Sequence, residues 1–479
     1  MKPRHHIVRT LNARHKSELP RFKLGGSNTQ LGIYISFYFL PVDDRVSFLS
    51  IDFSVDWACN WLAAFAVHTD AMAQQQKYVS RPSLLLREWI DLPFRVLIWA
   101  PIQLAINLVR GVLTAIWRRL PLRPYITCAA IRMFLYTFSP AQIQLFTPPT
   151  MDTYKAWIRS KRSEDRKSGD FELMEQLKED IEVLPDGRSH ILWIGDRHRA
   201  TRFVYFFHGG GYFMPAVPGH MEWCLQAYVL ASRNTRRNGS SSRERVAVAV
   251  LQYTLTPQAR FPTQMRQAAS GLAHLLRGGV RPSQLVVGGD SAGGNLTVQL
   301  LSHLLHPHPL AERIVLDEPL AGAFLVSPLV SQNMLTRSFV DGRPCDILSE
   351  GIIDKPIREM FHEKPRGLLG VLFPNWGLIE TKEFREGRGW ALMADVDEKW
   401  LDGMGNVVRK VYVTCGKHEL LRDQGIDIAE SIRARNADVE VKLEVAEKEA
   451  HDFILLEGQR QVVGDATTRM RNWFSRVWS

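Results

Sequence analysis

Apolar residues along this chain fall into two rhythms. From about residue 191, short and almost continuously apolar runs recur at 191–194, 203–207, 246–251, 285–287, 323–326, 411–413 and 439–445. Runs of this kind predict strands buried on both faces, the condition of a parallel sheet. Between them, residues 265–276 and 295–305 repeat their apolar positions every three to four residues and predict crossover helices. The alternation predicts the α/β class, with a mostly parallel central sheet flanked by helices.

Three stretches break that rhythm. Residues 96–116 are the most apolar in the chain, with Arg110 their one charge and Gln103 and Asn107 as polar interruptions. They nearly reach the length needed to cross a bilayer. Pro101 and the polar residues oppose a span, whereas Trp99, Trp117 and the group Arg118, Arg119 and Arg123 suit a membrane interface. A single-span anchor, a monotopic interfacial helix and a buried cap helix all stand open for this segment. Residues 331–408, rich in Gly, Pro, Trp and charge, predict an insertion over the sheet. At the other end, the sequence from Met72 reads like an ordinary protein start, so residues 1–71 are expected to be a dispensable or mis-assigned extension. The expected order is then an apolar anchor or interfacial region at 72–120, cap helices at 121–190, and the main domain at 191–479.

With 479 residues, 45% of them hydrophobic, the chain can fill a sizeable core. Its net charge of +10 sits largely in the first 25 residues, in the Arg118, Arg119 and Arg123 group and in residues 236–245. No zinc spacing, basic heptad helix or RNA-binding aromatic signature accompanies that charge, so a nucleic-acid partner is not expected. The five cysteines, Cys59, Cys128, Cys224, Cys345 and Cys415, show no CxxC spacing, which points to a reducing compartment rather than a disulfide framework or structural zinc. The first apolar run follows a long basic stretch and is broken by Pro41, Asp43 and Asp44, unlike a secretory signal.

The candidate chemistry lies at the strand ends. Gly289-Asp290-Ser291-Ala292-Gly293 falls between a predicted strand and a predicted helix, the setting a nucleophile elbow needs. Glycines two residues either side of Ser291 let the turn tighten, and the helix start offers amide donors and a partial positive charge. Upstream, His208-Gly209-Gly210-Gly211 follows the strand ending at Phe207; the amides of Gly209, Gly210, Gly211 and Ala292 form a candidate oxyanion hole. A serine at its ordinary pKa needs a base, and a base needs an orienting acid, in the chain order Ser, acid, His. His451, just beyond the last predicted strand, suits the base. His303, His306 and His308 are expected at the surface, and His362 falls in the insertion. Glu419, in the loop after the 411–413 strand, is the favoured acid, with Asp423 at the start of the next helix as the alternative.

At these residues the chain resembles the hormone-sensitive-lipase group of α/β-hydrolases, over about residues 202–453. A shared Tyr253-Thr254-Leu255-Thr256-Pro257 stretch, followed by Phe261-Pro262, adds to the likeness. The group commonly has Asp where this chain has Glu419, which keeps Asp423 in play. The resemblance implies an α/β-hydrolase fold with a helical cap from residues around 120–180 and 331–408. Together with the apolar segment, it is similar to membrane-anchored fungal sterol-acetate hydrolases and implies a small acyl group on an apolar alcohol.

The expected activity is a serine esterase working through an acyl-enzyme on a small-molecule ester, with no metal or organic cofactor. Acyl transfer to another alcohol or amine, and a non-catalytic ligand-binding role, are the alternatives. Membrane association through residues 96–116 and an intracellular location, at the endoplasmic reticulum membrane, complete the expectation.

Overall fold

The computed structural model describes residues 82–232, 245–363 and 377–478. The expected extension at 1–71, Cys59 and most of the basic stretch 236–245 lie outside the described residues. Eight strands form one sheet: β1 Ile181–Val183, β2 His190–Ile194, β3 Arg202–Phe207, β4 Val246–Gln252, β5 Leu285–Asp290, β6 Gly322–Val326, β7 Lys410–Gly416 and β8 Glu440–Ala446. Their spatial order is β1-β2-β4-β3-β5-β6-β7-β8. From β4 to β8 all neighbours are parallel, while β2 runs antiparallel to both β1 and β4. Six of the predicted runs are extended by one to four residues, and the seventh, β8, keeps its predicted length shifted by one residue. Ile181-Glu182-Val183 carries no apolar run and was not expected; it is an edge strand whose partner β2 supplies the burial.

Alternation across the sheet explains the continuous apolar runs. In β3, Phe203, Tyr205 and Phe207 join the core on one face and Val204 and Phe206 that on the other. At the centre of the second face, the Phe324 ring lies 6.2 to 6.3 Å from Phe206, Trp223 and Trp473 and 5.7 Å from Tyr228. Gly288 of β5 lies against that ring, where a Cβ would come within 2.4 Å of Phe324. β8, at the far edge, alternates Val441, Leu443 and Val445 with Glu440, Lys442 and Glu444 and is only partly covered.

The N-terminal part is helical. α1 runs Leu86–Trp117 and contains a π-turn at Arg95–Trp99, between Pro93 and Pro101. Each proline removes a helix donor, so a local widening there is expected. α2 Leu122–Thr137, α3 Pro140–Phe146 and α4 Thr150–Ser168 follow. α1 folds back along α2, with Gly111 facing Tyr125 and Ala129 and with Ala115 fully buried. Its other face is exposed: Leu86, Ile90, Phe94, Leu97, Ile102, Ile106, Val109, Leu113 and Ile116 all look outward. The helix is therefore half packed, and the reading as a buried cap helix does not hold. The helix is long and apolar enough to cross a membrane.

The insertion adds α8 Arg337–Gly342 and α9 Glu350–Phe361, and closes over α7 Ala292–Leu305, the helix after β5. Its Trp390 and Trp400 cover the end of α7, so His303 and His308 are buried rather than at the surface. His303 Nε2 meets Glu312 O at 2.9 Å and its Nδ1 accepts from the His308 amide.

Truncating Phe324 would leave the central aromatic cluster without its hub. Phe324→Ala is expected to lower unfolding stability by about 3–5 kcal/mol, measured as a shift in the urea midpoint at unchanged slope.

Candidate active site

Parallel strands deliver their C-terminal ends to one edge of the sheet, and loops leaving β3, β5, β7 and β8 carry the expected residues. Ser291 follows β5, at φ 50 and ψ −113, a conformation outside the ordinary regions for an L-residue. The turn is held there by Ser291 N donating to Val326 O at 2.8 Å. It is also packed against β3: a Cβ on Gly289 would stand 2.0 Å from Phe207 O, and one on Gly293 1.9 Å from the same atom. Only glycine fits at both places. Tyr212, Ser327 and Asp452, in the loops after β3, β6 and β8, also have positive φ. Strain of about 1–3 kcal/mol per residue is thus gathered on this one edge.

The glycine loop after β3 is clamped from below. Gly209 N donates to Asp290 Oδ2 at 3.0 Å, and a Cβ on Gly209 would collide with that carboxylate. Its amide is therefore engaged with Asp290 and is not free for an oxyanion, a correction to its expected place among the donors. Gly210 and Gly211, at φ 97 and φ 60, and Ala292, the first residue of α7, sit at the mouth of the loop and the helix start. Tyr253 of the shared Tyr-x-Leu-x-Pro stretch donates from its hydroxyl to His208 O at 2.7 Å and stacks on the His208 ring at 4.4 Å. Tyr212, Phe213 and Trp223 are core side chains, nearly or fully buried; the Tyr212 hydroxyl donates to Asn295 Oδ1 on α7.

Glu419 is fully buried three residues beyond β7. Its Oε2 accepts from Ser327 Oγ at 2.6 Å and from Gly416 N at 2.9 Å, while Oε1 has no partner. Burial raises its carboxyl well above the usual range, and Asp346 adds to that, against the two hydrogen bonds. Asp423 lies in the first turn of α10 Arg422–Arg435, where it accepts from Ser338 N at 2.7 Å and pairs with Arg422. These bonds occupy it away from the base loop.

His451 is buried in the loop after β8, and its Nδ1 has no partner. The direct bond between His451 and Glu419 is thus not formed, leaving one open ring nitrogen and one open carboxylate oxygen. Burial holds the imidazole neutral, down to about 4, with Asp290 pulling the other way. The acid and base loops touch at Gly416, where a Cβ would lie 2.5 Å from the carbonyls of Glu449 and Ala450.

Several buried polar residues around these loops carry no sequence signal of their own. Asp452 N donates to Ser327 Oγ at 3.3 Å, and the Asp452 carboxyl is buried where the Asp290 charge acts on it. Burial and the Asp290 charge raise the Asp452 carboxyl well above its usual range, while Asp290 is lowered, chiefly by His220, against its own burial. His220 accepts the Val217 amide at Nδ1, so its Nε2 carries the proton toward Asp290 Oδ2 at 3.3 Å. Asp346, from the insertion, accepts from Leu420 N and His451 N. Only its position in an insertion marked it out, and that signal does not reach an individual residue.

A family profile described as alpha/beta hydrolase fold matches residues 204–355. The chain is 23% identical over 280 residues to arylacetamide deacetylase of Oryctolagus cuniculus, covering 50% of this chain and 65% of that one, just under two thirds of its length. It is 23% identical over 298 residues to arylacetamide deacetylase-like 2 of Homo sapiens, covering 54% and 70%. Among solved structures, an esterase/lipase from an uncultured bacterium superposes with a TM-score of 0.46 at 20% identity, over 63% of this chain and 85% of that one. The order of the strands and the elbow after β5 agree with the profile match: the chain has an α/β-hydrolase fold, and its sequence is similar to those of arylacetamide deacetylases.

Proposed function

We propose that the protein is a serine ester hydrolase acting on small acyl groups. The observation that carries this reading is the strained Ser291 backbone, wedged against the Phe207 carbonyl between a glycine loop and the loop bearing a buried neutral histidine. In this mechanism, His451 takes the Ser291 proton as Oγ attacks the ester carbonyl. The amides of Gly210, Gly211 and Ala292 hold the oxyanion. His451 then protonates the leaving alcohol, and water repeats the sequence to release the acid. Glu419 orients the ring. At rest, burial favours the neutral form of His451; the Glu419 carboxylate, held by Ser327 Oγ and Gly416 N, stabilises the imidazolium as it forms. Relatives named deacetylases and acetyl-hydrolases support a short acyl group.

The second part of the proposal concerns α1. An apolar face running most of a 32-residue helix suits a lipid surface. Both ends of the helix are tied to the same domain. Arg95 bonds Thr137 O and Gln142 Nε2 bonds Glu88 O at one end, and Arg118 bonds Asp341 O at the other. Ends fixed to one soluble body do not reach opposite sides of a bilayer, so α1 lies in the plane of the interface. The membrane of the endoplasmic reticulum is the proposed location.

Ser291→Ala is expected to reduce p-nitrophenyl acetate hydrolysis by about 10,000-fold, and acetate should outrun decanoate with the native serine; equal rates in the two proteins would refute the serine mechanism. For α1, the triple change Leu97→Asp, Ile106→Asp and Leu113→Asp should abolish flotation with phosphatidylcholine–phosphatidylserine vesicles while hydrolysis of a soluble acetate ester stays intact. Alkaline carbonate should release the native protein from membranes; retention would mean that α1 spans.

A further inference from the structure

Asp346 sits in the insertion between α8 and α9 and is 1% exposed. Its Oδ2 accepts from Leu420 N at 2.7 Å, and its Oδ1 accepts from His451 N at 3.0 Å. Leu420 immediately follows Glu419, and the second amide belongs to His451 itself. One carboxylate therefore bridges the backbones of the acid loop and the base loop, which leave the sheet from different strands. The backbone that carries the carboxylate is itself held from the cap: Arg132 of α2, also buried, donates to Arg343 O at 2.6 Å and to Asp346 O at 3.2 Å. Tyr125 of the same helix donates to Lys448 O in the base loop at 3.2 Å.

A carboxylate accepting two backbone amides fixes their separation, because its oxygens are a fixed distance apart and each bond is charge-assisted. We propose that Asp346 is a positioning residue, which sets the spacing between the Glu419 loop and the His451 loop and so orients the imidazole toward both Ser291 and Glu419. The inference rests on the serine hydrolase reading above. It makes the insertion and the N-terminal cap part of the catalytic assembly, since the carboxylate comes from one and its anchor from the other.

The charge environment gives the idea a distinctive signature. Burial raises the Asp346 carboxyl to about 6, against the Leu420 and His451 amides and Arg132. The titratable groups facing it are Tyr125, Cys128 and Arg132 from α2, Cys345 on its own turn, Glu419 from the acid loop and His451 from the base loop. Below about pH 6, protonation turns one acceptor oxygen into a hydroxyl facing an amide N–H, and the bridge is lost. His451 takes its own proton only nearer 4.

The test is the pH profile of kcat/KM for a soluble acetate ester, with kcat and KM resolved, in the full chain and in Asp346→Asn and Asp346→Glu. The native protein should lose kcat/KM in two steps, near pH 6 and near pH 4. Asp346→Asn presents an amide group where one acceptor stood: kcat should fall about 10- to 100-fold, KM should change less than about twofold, and the upper step should vanish. Asp346→Glu should restore part of kcat and regain the step. Arg132→Gln, which leaves the carboxylate but removes its cation, should move the upper step to higher pH. Native kcat and an unmoved profile in folded Asp346→Asn would overturn the proposal. If that variant does not fold, an unmoved profile in Arg132→Gln does so instead. If Ser291→Ala retains hydrolysis, the serine reading itself fails; if it is inactive while the Asp346 and Arg132 variants behave as the native protein, only the positioning role fails.

Discussion

The turn after β5 passes so close to β3 that the Phe207 carbonyl oxygen occupies the space of two missing side chains, those of Gly289 and Gly293. This contact fixes the height of Ser291 above the sheet and forces its backbone to positive φ. Because β3 and β5 are parallel neighbours, the same contact puts the glycine loop of His208 beside the serine turn. Asp290 then joins the two by accepting the Gly209 amide. A larger residue at either glycine would separate the strands' ends and with them the serine and the glycine loop.

Around that contact the sheet edge collects acids rather than apolar residues. Asp290, Asp346, Glu419 and Asp452 are all buried there. Desolvating four carboxyls is costly, and the structure offsets it in separate ways. Asp290 binds the Gly209 amide and His220, Asp346 binds two amides near Arg132, and Glu419 binds Ser327 and Gly416. Asp290, Asp346 and Glu419 each tie together loops that continue beyond the ends of neighbouring strands, so the cost is set against the ordering of loops that have few backbone partners of their own.

This division also explains what the sequence disclosed. Seven of the eight strands were legible because burial on both faces leaves an uninterrupted apolar run, and Ser291 and the glycine loop because tight backbone approach leaves a run of glycines. Glu419 and Asp423 were separable only in space: both are acids beyond the same strand, and it is the partners, Ser327 for one and Arg422 for the other, that differ. Asp346 and Arg132 left no local pattern, since their contacts cross more than seventy residues. The burial of His303 and His308 depends on Trp390 and Trp400, which arrive from the insertion, and no helical spacing near the histidines could announce it. For residues 96–116 the apolar character was plain, but which face meets protein depended on α2.

The outer edge strand β8 has a consequence for the company the molecule keeps. One side of Glu440-Val441-Lys442-Leu443-Glu444 carries alternating charges, with Lys442 paired to Glu444 at 3.0 Å and its ammonium over the Tyr412 ring. A strand from another chain that sought the free amides of this edge would have to displace those charges from their partners and from water. The parallel sheet therefore stops at β8 by its own chemistry, and protection from edge-to-edge aggregation is written into the same alternation that leaves this strand only partly enclosed.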